Sequence, residues 1–368
     1  MFFANLALNW VTLKSSNLLA HEKYMRRCLE LAQLGSGKVS PNPMVGALIV
    51  HNEKIIGEGY HEKFGHAHAE VNAINAVLSK FADAATLLKT STMYVSLEPC
   101  AHFGKTPPCA DLIIRYQIPR VVIGSADPFD QVNGKGVQKL KDAGTEVVEG
   151  VLQDECNFVN RRFFTRVKKQ RPYIILKWAQ TADHFFAPDN GSQKWISSPL
   201  SKTLTHKWRT EEDAILVGKN TALIDNPQLN VREAEGRNPV RIVIDRNLDL
   251  PTHLYLFDYS QDTIVFNAKK TGIDRNIKYL ELEDFDNILP QLICYQLYLM
   301  DIQSIIIEGG AQTLDLFIKA GLWDEARIFS SSDSWGKGLK APEISGQMLS
   351  EQKIDTDLLQ TIIPFQSI

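Results

Sequence analysis

Leu97-Glu98-Pro99-Cys100-Ala101-His102-Phe103-Gly104-Lys105-Thr106-Pro107-Pro108-Cys109 joins an apolar strand, Met93–Leu97, to a helix expected over Cys109–Tyr116. Upstream, His68-Ala69-Glu70 opens another expected helix, His68–Lys80, rich in Ala, Val and Ile. One imidazole and two thiols are soft ligands that suit zinc. Three protein ligands leave a fourth position for water, which is the catalytic count; a structural site closes with four. Glu70 stands two residues from His68. A carboxylate there can take a proton from that water and return it to a leaving amine without ligating the metal. His68 and Cys100 both lie at strand-to-helix junctions, where the helix dipole favours a thiolate. The H-x-E and P-C pairs match the signature of zinc nucleobase deaminases, with a wider gap between the cysteines.

Around this centre, apolar periodicity predicts a helix over Tyr24–Leu34 stopped by Gly35 and Gly37, and a hairpin of Val45–Val50 with Ile55–Tyr60. A strand over Val121–Gly124, a helix over Val137–Ala143 and a strand over Glu146–Val151 complete an α/β unit closing near residue 155. Arg161, Arg162, Arg166, Lys168, Lys169 and Arg171 form a basic run. It reads as a solvated helix end and linker, with a phosphate or partner surface as the alternative. A second alternation starts at Pro172: strands at Tyr173–Lys177, Ala214–Val217, Val240–Ile244, Ile264–Phe266 and Ser304–Ile307. Helices are expected at Leu200–Arg209, Leu289–Leu299 and Thr313–Ala320, and an antiparallel tail ends the chain. In this half, Glu308-Gly309-Gly310-Ala311-Gln312-Thr313-Leu314 runs from a buried strand through Gly-Gly into a helix. Such a turn offers bare N–H groups to a phosphate, although turn chemistry alone explains two glycines equally well. No G-x-G-x-x-G follows a strand, so a dinucleotide site of the Rossmann type is not expected.

The motifs together resemble the bifunctional riboflavin-biosynthesis deaminase/reductase family, the RibD family. Ser40-Pro41-Asn42-Pro43-Met44-Val45-Gly46, His68–Glu70, Leu97–Cys109 and Asp127-Pro128-Phe129-Asp130-Gln131-Val132-Asn133-Gly134-Lys135-Gly136 carry the resemblance in the first half. Lys177-Trp178-Ala179-Gln180-Thr181-Ala182-Asp183-His184, Gly191-Ser192-Gln193-Lys194-Trp195-Ile196-Ser197, Arg209 and Thr221–Arg232 carry it in the second. The resemblance implies a cytidine-deaminase-like three-layer domain followed by a dihydrofolate-reductase-like domain. It implies Zn²⁺ on His68, Cys100 and Cys109 and NADPH in the second domain. The substrate it implies is a diaminopyrimidinone bearing a phosphoribosylamino group, deaminated with Glu70 as proton shuttle and then reduced from ribosyl to ribityl. Asn42 and Lys105 would contact this substrate in the first domain.

In the second domain, Ala179, Trp195, Thr221, Asp225 and the turn Gly309, Gly310, Ala311, Gln312, Thr313, Leu314 would contact NADPH. Gln193, Arg209, Leu229, Arg232 and Glu308 would hold the phosphosugar, two Arg side chains being suited to a phosphate. Lys177 and Asp225 would position the substrate and transfer a proton. His184 stands where the family carries Gly and Gln193 where it carries Ser, so a different turn and an altered polar contact are expected there. A deaminase with a non-catalytic reductase-like domain is the alternative.

The 368 residues, 44% hydrophobic with a net charge of −3, fit a folded chain of two domains. The division expected is an extension over residues 1–20, a deaminase domain over 21–160, a linker over 161–171 and a reductase domain over 172–368. The balanced charge argues against nucleic acid as a partner, and no apolar run is long enough for a membrane span. The first 20 residues lack a basic start and do not read as a secretory signal. Five cysteines are too sparse for a disulfide framework, which points to the cytoplasm; Cys28, Cys156 and Cys294 are expected in packing. A homo-oligomer, dimer or tetramer, is expected.

Overall fold

The structure, a computed structural model, describes residues 20–101, 107–129, 133–189 and 194–365. It divides into two compact units, residues 1–169 and 170–368.

In the first unit, helix α1 (20–33) precedes β1 (Gly46–His51) and β2 (Lys54–Tyr60). Helices α2 (Ala69–Lys80) and α3 (Ala84–Leu88) lead to β3 (Thr92–Leu97), followed by α4 (Cys109–Arg115) and β4 (Arg120–Ser125). Helix α5 (Lys135–Asp142), β5 (Glu146–Val148), α6 (Gln153–Val159) and α7 (Arg161–Lys169) close the unit. The sheet order is β2-β1-β3-β4-β5, antiparallel from β2 to β3 and parallel from β3 to β5. Period-two alternation builds two cores. Ala47, Ile49, Met93, Val95, Val121 and Ile123 meet α2, α4 and α5. Leu48, Val50, Tyr94 and Val122 meet α1 and α6, with Cys28 and Cys156 as packing residues among them. This is a helix–sheet–helix sandwich. Most of the stretch read as a linker is helical, because Thr165 is buried on α7 while its basic residues face outward or sit half-buried. The short α3, α6 and α7 escape the periodicity reading, since five to nine residues hold barely two helical turns.

The second unit runs β6 (Tyr173–Gln180), β7 (Phe185–Ala187), α8 (Pro199–Glu211), β8 (Ala214–Gly218), α9 (Lys219–Asp225), β9 (Val240–Ile244), β10 (Thr263–Asn267), β11 (Gly272–Asp274) and β12 (Ile277–Glu281). Then come α10 (Leu289–Leu299), β13 (Ser304–Gly309), α11 (Ala311–Lys319), β14 (Glu325–Ser330), β15 (Leu339–Lys340), β16 (Gln347–Ile354) and β17 (Asp357–Ile363). The main sheet has ten strands in the order β11-β12-β10-β9-β8-β13-β6-β14-β17-β16. From β12 to β14 every pair is parallel; β11, β17 and β16 are antiparallel edges. The carboxyl ends of the parallel strands therefore share one side, where open α/β sheets bind ligands. Ile174, Leu176, Leu216, Ile305 and Ile307 pack against α10 and α11, with Cys294 in the same core. On the opposite face Tyr173, Ile175 and Ile306 meet Trp208 of α8. Alternation then turns Lys177 toward α8, and the register Leu176–Ile307 sets Lys177 beside Glu308 on the next strand.

His184 adopts φ +64°, a conformation a glycine would take freely. Its ring Nδ1 lies 3.0 Å from Gln180 Nε2. The histidine thus occupies a left-handed turn with a side-chain partner, and the substitution does not force an extended backbone at this position.

Candidate active sites

Residue His68 is the N-cap of α2, and Glu70 lies in the first turn with 3% of its surface exposed. The helix can carry them to the sheet because β2 has glycines beneath it. A Cβ on Gly59 would stand 2.3 Å from the Ala73 amide nitrogen, and one on Gly57 2.5 Å from the Ala73 oxygen. Cys100 follows β3, and Cys109 is the first residue of α4.

His68 Nδ1 lies 3.3 Å from Cys109 Sγ and 3.7 Å from Cys100 Sγ. All three donor atoms fall within 4.8 Å of one another. Ligands at ~2.0–2.3 Å around a tetrahedral zinc stand roughly 3.4–3.8 Å apart, so the three residues fit the ion. The Cys109 thiol and backbone N–H, the latter at 3.3 Å, together with His68 hold the Cys100 thiol down at about 4 despite burial. Hydrogen bonding to Cys100 lifts His68 to about 9. Burial pushes Glu70 up to about 7, against the pull of His68. An imidazole, two cysteine sulfurs and a buried carboxyl group are therefore gathered at one point.

Asn42 lies in the same region through a residue that the sequence alone does not single out. His61, 3% exposed, has Nδ1 3.0 Å from the Ala67 carbonyl oxygen and Nε2 3.2 Å from Asn42 Nδ2. A carbonyl only accepts, so the ring proton sits on Nδ1 and neutral Nε2 accepts from the Asn42 amide. Burial lowers the His61 pKa, consistent with the neutral ring. Its ring stands edge-on to His68 with centroids 5.5 Å apart. Glu98, just before Pro99 and Cys100, is buried and accepts N–H bonds from Gly134, Gly136 and Val137 at 3.0 to 3.2 Å. It thereby ties the chain leading to Cys100 to the start of α5. Lys105 lies outside the described residues.

In the second unit a cavity of about 1280 Å³ opens at the carboxyl ends of the parallel strands. That exceeds the ~300–1,000 Å³ usual for one small ligand. Lys177, Ala179, Trp195, Arg209, Thr221, Asp225, Leu229, Arg232, Glu308, Gly310, Ala311, Gln312 and Thr313 line it. Leu314 does not: its side chain is fully buried in the core, because helical spacing turns it inward from α11. Gly309 ends β13 behind the wall, where a Cβ would stand 2.8 Å from Thr221 Cγ2. Gln193 lies outside the described residues. His206, which no motif in the sequence marks as a ligand contact, also lines the cavity.

Gly310 is the N-cap of α11 at φ +77°. The Thr313 and Leu314 N–H groups bond back to the Gly310 carbonyl at 3.0 and 3.1 Å, which leaves the Ala311 and Gln312 N–H groups at the start of that nine-residue helix outside its ladder. Such a cradle fits the pyrophosphate of a dinucleotide. Gly310→Val would place a branched side chain at positive φ, 3.2 Å from Thr221 Oγ1. It is expected to weaken NADPH binding at least tenfold in a fluorescence titration; unchanged affinity would remove the cradle from the cofactor site.

Arg209 donates through Nε and Nη2 to the two Glu308 oxygens at 2.9 and 2.7 Å and through Nη1 to the Asn230 carbonyl at 3.0 Å. Burial raises the Glu308 carboxyl, but Arg209 and then Lys177 outweigh it and hold the group at about 2. Burial lowers the Lys177 amine and raises the Asp225 carboxyl.

The zinc-binding region of cytidine and deoxycytidylate deaminases matches residues 19–125, and the RibD C-terminal domain matches residues 172–361. A riboflavin biosynthesis protein RibD from Aquifex aeolicus is 40% identical over 339 residues, covering 90% of this chain and 92% of that protein. The chain belongs to the RibD family. The RibD of Escherichia coli is 34% identical, over 84% of this chain and 86% of its own. A Thermotoga maritima structure, a diaminohydroxyphosphoribosylaminopyrimidine deaminase/5-amino-6-(5-phosphoribosylamino)uracil reductase, superposes with a TM-score of 0.87 at 36% identity. It covers 95% of this chain and 99% of its own. Acinetobacter baumannii RibD gives 0.84 at 30% identity, over 95% and 100%. This RibD-family chain is a bifunctional enzyme of riboflavin biosynthesis. A zinc deaminase domain is followed by an NADPH-dependent reductase domain of dihydrofolate-reductase-like fold.

Proposed function

We propose that the two activities divide as follows, with the substrate taken from the chemistry named for the Thermotoga relative. Residues 21–160 deaminate a 2,5-diaminopyrimidinone carrying a phosphoribosylamino group, and residues 172–368 reduce its ribosyl group to ribityl phosphate. The observation that carries the first step is a carboxyl group, 3% exposed, two residues from an imidazole that meets two thiols within 4.8 Å. Zinc on His68, Cys100 and Cys109 supplies the charge that makes water acidic near neutral pH. Glu70 takes the proton as the C–O bond forms and gives it to the amine as the C–N bond breaks, so ammonia leaves. Asn42 holds the base edge: with its amide nitrogen committed to His61, its carbonyl oxygen is left for a substrate N–H. Lys105 is assigned to the ribose phosphate.

In the reductase domain NADPH, when bound, would supply the hydride that reduction at the ribose C1′ requires. Gly310, Ala311, Gln312 and Thr313, with Ala179, Trp195 and Thr221, are the residues assigned to hold it. Lys177 and Asp225 supply the proton that the ring oxygen needs as it becomes a hydroxyl. Arg232, Leu229 and Gln193 are assigned to the phosphosugar, with Arg209 and Glu308 beside them as an ion pair. The five cysteines are free thiols, which supports the cytoplasmic reading. Among the described residues no helix is long and apolar enough to cross a membrane. A homo-oligomer, dimer or tetramer, completes the reading and is open to sedimentation analysis.

Anaerobic incubation with the diaminopyrimidinone, following ammonia and NADPH separately, tests the scheme. Ammonia is expected without NADPH, and NADPH is then consumed one for one with deaminated product. Ammonia without any fall in NADPH absorbance would leave a deaminase with a non-catalytic reductase-like domain. Stripping the metal with a chelator is expected to abolish ammonia release and leave NADPH oxidation on the deaminated intermediate within about twofold. Loss of both activities together would overturn the independence of the two chemistries.

A further inference from the structure

We propose that His206 contacts the substrate in the reductase site, presenting Nε2–H to a phosphate oxygen of the sugar. This rests on reading the cavity as the phosphosugar site.

His206 lies on α8 three residues before Arg209, so the two project from one face of the helix. Only 2% of its surface is exposed, yet it forms part of the cavity wall. The main-chain N–H of Arg232 points at its Nδ1 at 3.2 Å. An N–H can only donate, so Nδ1 holds a lone pair and the ring proton is on Nε2. Burial, then the charges of Arg209 and Arg232, keep the imidazole at about 4, against Glu233 and Glu308, and the ring stays neutral in the physiological range. Among the described residues no group is hydrogen-bonded to Nε2. The Arg209 donors are committed, and those of Arg232 in part. Arg209 gives Nε and Nη2 to Glu308 and Nη1 to Asn230. Arg232 Nη1 is engaged by Gln228 and Asn230 side chains. His206 Nε2–H is therefore an oriented donor on the cavity wall without a protein acceptor among the described residues. The flanking guanidinium groups favour an anionic oxygen there. A neutral N–H gives a phosphate oxygen a hydrogen bond without adding a further positive charge to the wall.

Two substitutions separate this contact from the hydrogen bond that anchors the Arg232 segment. His206→Asn places Oδ1 where Nδ1 accepts and lacks the distal donor. His206→Gln reaches the Nε2 position with an amide N–H and lacks the proximal acceptor. The readouts are KM and kcat for NADPH oxidation on the deaminated intermediate, the inhibition constant of inorganic phosphate, and the NADPH dissociation constant. His206→Asn is expected to raise both KM and the phosphate inhibition constant about tenfold, with kcat and NADPH affinity within threefold. His206→Gln is expected to stay within threefold throughout. The reverse pattern would make His206 an anchor for the Arg232 segment alone and overturn the proposal. Wild-type behaviour of both variants, or a parallel loss of NADPH affinity and melting temperature in both, would overturn it as well. Wild-type enzyme that oxidises no NADPH would instead sink the underlying assignment of the cavity.

Discussion

Glu70→Gln is expected to lower ammonia release by about 10²–10⁴-fold, the usual worth of general acid–base catalysis. Glutamine keeps the shape of a side chain that is 3% exposed and packed on α2, so the fold around it stays filled. What it loses is the capacity to take a proton and return it. Burial pushes the Glu70 carboxyl up to about 7, and a dication on the neighbouring ligands draws it down again. Removing the carboxyl removes that burial cost, so the melting temperature should hold or rise. Zinc content should remain at one per chain, and NADPH oxidation on the deaminated intermediate should match the wild type. Ammonia release at the wild-type rate, with metal in place, would exclude Glu70 as the proton carrier.

Glu308→Ala is expected to damage the reductase on a similar scale. The Arg209 guanidinium has 11% of its side chain exposed and gives two of its hydrogen bonds to Glu308. Deleting the carboxylate leaves that charge unpaired in a mostly buried position beside Lys177. Breaking a buried pair from one side costs about 3–5 kcal/mol, read as a drop in the denaturation midpoint of the second unit. NADPH turnover should fall at least a hundredfold, with ammonia release unchanged. The pH dependence has a definite sign. The carboxyl is held at about 2 in the folded state, below its usual 4.5. Its contribution is therefore complete above about pH 4.5 and disappears as the pH falls through 2. The stability gap between wild type and variant should be flat from pH 8 to 5 and narrow only in strong acid. A gap that instead widened below pH 5 would contradict the ion pair as its source.

The metal site is legible in the sequence because its parts are chemically rare and close along the chain. His68, Cys100 and Cys109 are the kinds of residue that bind zinc, and strand-to-helix junctions bring them together. The reductase cavity is another matter. Its walls come from residues 177 to 339, and only the resemblance links Lys177 to Arg232 and Glu308. Positions such as Leu314 show how a motif can be assigned as a block although helical spacing turns one of its members inward. His206 carries no local signal at all. Its tautomer is set by a main-chain N–H 26 residues away, a partner that only the fold supplies. His61 is similar: its importance comes from a carbonyl at Ala67 and an amide at Asn42, not from its own neighbours in sequence. The parallel strands are readable as continuous apolar runs. The three-residue strands β7 and β11 are not, being too short for any pattern.

The paired glycines under α2 give the metal site a constraint that ligand chemistry alone does not express. With no Cβ at Gly57 or Gly59, the helix backbone rests directly on the strand, and His68 and Glu70 inherit their height above the sheet from that contact. An alanine at either position would not touch a ligand, a proton or a substrate. It would act as a shim, lifting one end of the helix and tilting the imidazole away from two thiols anchored on other elements. Tolerance at this centre is thus set by volume that is missing, and enzymes of this design can drift more freely at many solvent-facing residues than at two of their smallest ones.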